Sequence, residues 1–264
     1  MAASPRDRTT PVVFVVLGIL GAAFVALPLV GLITRAPWSR AGEILSEDSS
    51  RAALRLSIEV SLLAAGIDLL LGMPLAWLLA RKSFAGRTLL RGLVVLPLVM
   101  PPVVAGVALL AALGRRGLVG GWLDRTFDLQ ITFTTGAAVL ATAFVSFPLV
   151  VLSVEAGLRA LDPRLEAAAA TMGASRATIL RRVTLPLLAP QIVAGVVLAW
   201  ARALGEFGAT LMFAGNLAGR TQTLPLAVFQ LSQTDPQGAT VLALSLVIVS
   251  LGVIVALRRR FLST

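Results

Sequence analysis

The chain has 264 residues, 57% of them apolar, a formal net charge of +10, and neither cysteine nor histidine. A mean hydropathy of +0.91 excludes an ordinary soluble domain, whose apolar share is about 45–50%, and marks an integral membrane protein. The missing residues exclude a disulfide frame, a thiol nucleophile, zinc sites built on thiolate or imidazole, and an imidazole base.

A bilayer core takes about 20 mostly apolar residues of helix, and six stretches qualify: about 12–33, 53–80, 88–112, 133–158, 187–212 and 239–258. The expected fold is therefore all-α, a polytopic bundle of six transmembrane helices. The first stretch follows Arg6 and Arg8 as a signal peptide would, but it exceeds the usual h-region of about 7–15 residues, so a retained span and an intact N-terminus are expected. In the second, Glu59 and Asp68 fall on opposite sides of one helix and do not form a joint carboxylate site; Asp68 is expected to face the bundle. The third carries Pro97, Met100, Pro101 and Pro102. Proline removes a backbone donor, which lipid tolerates where neighbours or a wet cavity rescue the freed carbonyls, so the cluster either packs or lines a pathway.

In the fourth stretch Pro148 kinks the helix, and Thr132, Thr134, Thr135, Thr142 and Ser146 suit helix packing more than anion passage. The fifth places Arg202 and Glu206 at i and i+4 on one helix face, where pairing makes each tolerable. A dianion would be repelled by Glu206, which favours a structural pair over direct contact with a travelling anion. Gly205 and Gly208 allow close helix approach, so Arg202, Gly205, Glu206, Phe207, Gly208 and Thr210 form a candidate gate or subunit contact, with Met100, Pro101 and Pro102 the candidate pathway residues of the third span.

The connections alternate in charge. One side holds Arg6, Arg8, Arg81, Lys82, Arg87, Arg91, Arg159, Arg164, Arg176, Arg181, Arg182, Arg258, Arg259 and Arg260; the other holds Arg35, Arg40, Arg51, Arg115, Arg116, Arg125 and Arg220. Fourteen against seven puts both termini, and the insert between the fourth and fifth spans, in the cytoplasm. Over 162–186 that insert predicts a helix-turn-helix elbow. Asp162 caps, Pro163 fits the first turn, Glu166 sits near the positive end of the dipole and Ala167, Ala168, Ala169 and Ala170 favour helix. Gly173 supplies a left-handed stop, and Ser175 caps a second helix running to Leu185 and Pro186. An isolated helix this short is unstable in water, so something else must hold it, and its small side chains suit a groove on a partner.

The segment Glu166-Ala-Ala-Ala-Ala-Thr-Met-Gly173 with Leu185-Pro186 resembles the signature loop of ABC importer permeases. The resemblance implies coupling helices seated in a cytoplasmic ATPase, with Glu166, Ala167, Ala168, Ala169, Ala170, Gly173, Leu185 and Pro186 as the docking set. Ala201-Arg-Ala-Leu-Gly-Glu-Phe-Gly-Ala-Thr210, Thr221-Gln-Thr-Leu-Pro225 and Leu96-Pro-Leu-Val-Met-Pro-Pro-Val-Val-Ala-Gly106 are similar to oxyanion permeases, most closely the molybdate type, with sulfate permeases next. It covers about residues 52–260; the first span matches in hydropathy alone. What it implies is one permease domain over 1–264 without a regulatory domain, in a bacterial plasma membrane. Two copies would pair with two ATPase subunits and an extracytoplasmic oxyanion-binding protein, in contact with lipid and with no nucleic acid. The chain has no Gly-x-x-x-x-Gly-Lys-Ser/Thr loop, so ATP and Mg are expected on the partner ATPase, with no cofactor or metal on this chain and no catalysis of its own. An intramembrane protease lacks its residues here, and a stand-alone secondary transporter using Asp68 or Glu206 is the third alternative.

Overall fold

Each long apolar run becomes a helix because lipid offers backbone groups no other partner. The computed structural model describes residues 11–261 as, in order, α1 Val12–Arg35, α2 Trp38–Ser46, α3 Asp48–Arg81, α4 Arg87–Val99, α5 Pro102–Leu113, α6 Gly120–Phe127, α7 Thr135–Ala160, α8 Pro163–Thr171, α9 Arg176–Ile179, a π-turn Leu180–Thr184, α10 Leu185–Leu204, α11 Gly208–Ala214, α12 Leu224–Ser232 and α13 Pro236–Phe261. Arg6, Arg8, the N-terminus and the side chains of Arg258, Arg259 and Arg260, which enter the orientation expectation, lie outside the described residues. Four continuous helices are long and apolar enough to cross a membrane alone: α1, α3, α7 and the run Arg176–Leu204. α13 supplies another crossing, and α4 with α5 together supply the sixth.

Two expected spans are not single helices. The third breaks at Met100–Pro101, where both residues are extended, with ψ of 136° and 135°. Neither Pro101 nor Pro102 has an N–H to continue the ladder, and the residue before a proline is pushed out of the α region. The fifth ends at Leu204 and restarts at Gly208, so Arg202 and Glu206 do not share one continuous helix: Glu206 stands in the break. By contrast Pro74, Pro148 and Pro190 sit inside unbroken helices.

The centre is α7, with α3 and α10 against it. Their contact depends on small residues. Ala64, Ala76, Ala137, Ala138, Ala141 and Ala199 are fully buried, and small side chains let membrane helices approach closely. A Cβ added at Gly195 would lie 2.8 Å from the Ser153 Cβ, and one at Gly157 would lie 2.6 Å from Leu188 Cδ1. Polar bonds add direction: Ser153 Oγ donates to the Gln191 carbonyl at 2.8 Å, and the Leu224 N–H donates to Ser57 Oγ at 2.6 Å. The partner of the buried Asp68 is Ser146 on α7, 2.5 Å away, whereas Glu59 is exposed. Thr142 donates to the Ala138 carbonyl and Thr134 caps α7 by accepting from the Ala137 N–H. α1 buries none of its residues, and α2 and α6 are short amphipathic helices beside the bundle.

Gly195→Val should lower the thermal stability of the purified protein, at a cost of about 1–3 kcal/mol from overpacking. Gly66→Ala, where nothing lies within 4 Å of the added carbon, should leave it unchanged. Both are readable by unfolding in detergent.

Candidate functional site: the elbow and the broken spans

The elbow folds as its residues dictate. Asp162 Oδ1 accepts from the Arg164 N–H at 2.9 Å, and Pro163 occupies the first turn of α8. After Thr171 the chain turns at Gly173, whose φ of 81° suits glycine alone, and the Ala174 N–H reaches back to the Ala169 carbonyl at 3.1 Å. Ser175 then caps α9 by accepting from the Thr178 N–H. The second arm does not stop at Pro186. It passes through the π-turn into α10, forming the continuous run Arg176–Leu204. Pro186 has no N–H for the Arg182 carbonyl, and just before it the ladder loosens, the Leu185 N–H bonding the Leu180 carbonyl five residues back.

What holds α8 is a set of charge-assisted bonds to the bundle. Glu166 Oε1 accepts from Arg81 Nη2 and from Thr184 Oγ1, each at 2.8 Å. Arg81 ends α3 and lies over the Trp77 ring at 5.6 Å, a cation–π contact. Thus one carboxylate ties α8 to the end of α3 and to the start of α10. Of the expected docking residues, Ala167, Ala168, Ala170, Gly173 and Pro186 are exposed; Leu185 is half-buried, Ala169 faces inward, and Glu166 is half-buried in the bonds just described. Two apolar side chains outside the expected docking set are exposed here: Met172, 82% exposed just past the end of α8, and Leu165, 47% exposed in its first turn.

The two helix breaks lie together. A Cβ on Gly208 would come 2.8 Å from Pro102, and one on Gly106 would come 2.5 Å from Met212 Cβ, so α11 rests directly on α5. Broken backbone at membrane depth needs such cover. Met100 is half-buried while Pro101, Pro102 and Gly205 are exposed. Glu206 is buried, with Oε2 2.7 Å from Arg202 Nη1 and Oε1 accepting the Ala209 N–H at 2.8 Å, so it neutralises the arginine and closes the restart of the helix. Arg202 is half-buried, Phe207 packs on Phe229 with centroids 5.1 Å apart, and Thr210 is buried with an unpartnered hydroxyl. Beyond α11, Gln230 Oε1 accepts from Asn216 Nδ2 and Gln222 Nε2, which closes the Thr221-Gln-Thr-Leu-Pro225 loop.

One group escaped the sequence reasoning. Glu155 of α7 is buried, accepting from Arg91 Nη2 at 2.5 Å and from Arg159 Nη2 at 2.8 Å. The signal was present, since an acid inside an apolar run with an arginine four residues on is a functional candidate. Among the described residues no cluster of three or more acidic side chains offers a metal site.

Arg202→Ala should damage folding and assembly more than Arg202→Ala with Glu206→Ala together, because the single change strands a buried carboxylate at a cost of about 3–5 kcal/mol. The yield of folded protein from size-exclusion profiles checks the ordering, and equal loss in both variants would remove the pair from the account.

Comparison with known proteins agrees with this geometry. Residues 72–263 match the family described as "Binding-protein-dependent transport system inner membrane component". The molybdenum transport system permease protein ModB of Mycobacterium tuberculosis is 46% identical over 242 residues, covering 92% of this chain and 91% of that protein. ModB of Escherichia coli K12 is 47% identical over 191 residues, 72% of this chain and 83% of its own length. The sulfate permease CysT of the same strain is 37% identical over 221 residues, 82% and 79% of the two chains. Among solved structures, a bacterial alginate ABC transporter with its periplasmic protein superposes with a TM-score of 0.74 at 18% identity, covering 96% of this chain and 94% of that one. The inward-facing methionine transporter MetNI gives 0.61 at 17% identity, over 79% and 93%. These likenesses show the fold. The chain belongs to the binding-protein-dependent transport system inner membrane components, the membrane-embedded subunits of ABC importers.

Proposed function

We propose that this chain forms the translocation pathway of an ATP-driven importer of molybdate, and of tungstate as a dianion of the same shape. Two copies would enclose the pathway, two ATPase subunits would seat on the elbows, and an extracytoplasmic binding protein would deliver the anion. The observation that carries the anion class is near-full-length identity: 46% to molybdenum permeases over 92% of the chain, against 37% to a sulfate permease over 82%. Sulfate uptake is the second reading for the same reason. The excess of arginine and lysine on the elbow side supports a cytoplasmic elbow and cytoplasmic termini.

The mechanism follows from continuity. Closure of the ATPase pair on ATP would displace α8, where exposed Leu165 in the first turn and Met172 just past the end offer apolar side chains to a groove. Because the second elbow arm runs unbroken into α10, the displacement would reach the Arg202–Glu206 break, and the adjoining Met100–Pro102 break would yield with it. ATP and Mg would stay on the partner, and this chain would contribute shape and motion only. Neutral Glu206–Arg202 pairing keeps the span from presenting a bare carboxylate to a passing dianion.

In liposomes holding the permease, its ATPase and its binding protein, molybdate and tungstate should each stimulate ATP hydrolysis, and sulfate should not. Stimulation by sulfate alone would move the chain to the second reading. Gly173→Val forces a branched side chain into a left-handed turn and should abolish coupled uptake, while Met172→Glu should weaken ATPase association by about 1 kcal/mol or more. Normal uptake by the first variant and parental affinity of the second would count against the docking assignment.

A further inference from the structure

We infer that Glu155 is a positioning residue that makes α4, the half of the third span nearer the elbow, move as one body with the elbow, and that Met100–Pro101 is the hinge. This rests on the proposed transport function for its purpose, though its geometry stands apart from it.

The two halves of the third span share α7, α4 against its Val150–Val154 stretch and α5 against its Ala137–Val145 stretch, but differ in what else holds them. α5 lies on α11 with almost no space between them, Gly106 against Met212 and Ala209, and Pro102 against Gly208. α4 buries only Val94 and Pro97. Among its described side-chain bonds, those that leave the helix all run from Arg91 to Glu155, through Nε at 3.3 Å and Nη2 at 2.5 Å. A thinly packed half-helix is therefore fastened by one bidentate, charge-assisted contact to a buried carboxylate, the strongest kind of polar bond a protein makes. Between the halves two extended residues carry no helical ladder: the Met100 N–H ends α4 on the Leu96 carbonyl, and the Ala105 N–H begins α5 on the Pro101 carbonyl.

From Glu155 the bonds continue toward the elbow. Arg159 grips the same carboxylate and donates to the Leu79 carbonyl on α3 at 3.4 Å. Two residues on, Arg81 holds Glu166 of α8, which also accepts from Thr184 at the foot of α10. Arg91, Glu155, Arg159, Arg81, Glu166 and Thr184 thus join five helical segments at one end of the bundle. None of these bonds reaches α5 or α11. A push on α8 would pass through these bonds to the elbow-side ends of α3 and α7 and to α4, while α5 stays with α11 on the far half of α7, leaving the bend to Met100–Pro101.

The test uses the assembled transporter and Arg91→Gln, which frees α4 but leaves Arg159 to compensate Glu155. Since the chain has no cysteine, nitroxides can be placed at Leu89→Cys on α4, Arg164→Cys on α8 and Val103→Cys on α5, all exposed positions, in complexes carrying one labelled copy. Between the nucleotide-free and ATP-trapped states the 89–164 distance should hold while the 89–103 distance changes. In Arg91→Gln the 89–164 distance should become variable, and anion uptake per ATP hydrolysed should fall about tenfold with hydrolysis itself retained. An 89–164 distance that changes as much as 89–103 in the parent, or parental uptake per ATP in Arg91→Gln, would overturn the inference. Should no tetrahedral oxyanion be transported by the parent, the proposed function fails, while the distances still decide the rigid-body claim.

Discussion

A charge inside a bilayer must bring its own partner, and this constraint shapes the structure more than any other. A lone ionised side chain at the centre of a span costs about 2.5–3.5 kcal/mol on insertion scales. The buried Glu155 and Glu206 each answer with arginine, as does the half-buried Glu166 of the elbow, and each pair joins segments that would otherwise separate: α4 to α7, α10 to α11, and α8 to α3. Among the buried carboxylates Asp68 is the exception, served by a serine hydroxyl alone, and it sits where α3 and α7 are locked. The carboxylates are thus placed at junctions, and apolar packing fills the lengths between.

The same economy governs the backbone. Two spans break in mid-course, and the helices that restart after the breaks pack on each other, Gly208 on Pro102 and Gly106 on Met212. Irregular backbone at membrane depth is tolerated beside protein or a water-filled cavity. Placing both together concentrates irregular, movable backbone at one depth and leaves α3 and α7 as unbroken struts. A transporter needs rigid posts and a localised bend, and this arrangement supplies both from glycine, proline and two charges.

Much of this was legible in the sequence. Hydropathy located the six crossings; the Asp162 cap, the Gly173 turn and the Ser175 cap were readable because each depends on neighbours within four residues. The breaks were not. Pro74 and Pro148 look as disruptive as Pro101 yet sit within unbroken helices, and only the doubled proline after Met100 denies the ladder two successive donors. Arg202 and Glu206 were paired correctly by spacing, but spacing does not tell that Glu206 closes a restarted helix. Glu166 was expected to serve a partner, and its inward bonds involve Arg81 and Thr184, which are 85 and 18 residues away. Contacts of such separation leave no periodic trace. Nor did the small side chains of α8 reveal that its exposed apolar bulk is carried by Leu165 in its first turn and Met172 just past its end.

Bonds within the chain, and not a docked partner, hold the elbow in place. Hydrogen exchange of the α8 amides in the purified permease, alone and as Arg81→Gln, tests it most directly. Exchange should be slow in the parent without any ATPase present, and fast once Arg81 no longer holds Glu166. Fast exchange in the parent that slows only when the ATPase is added would contradict it.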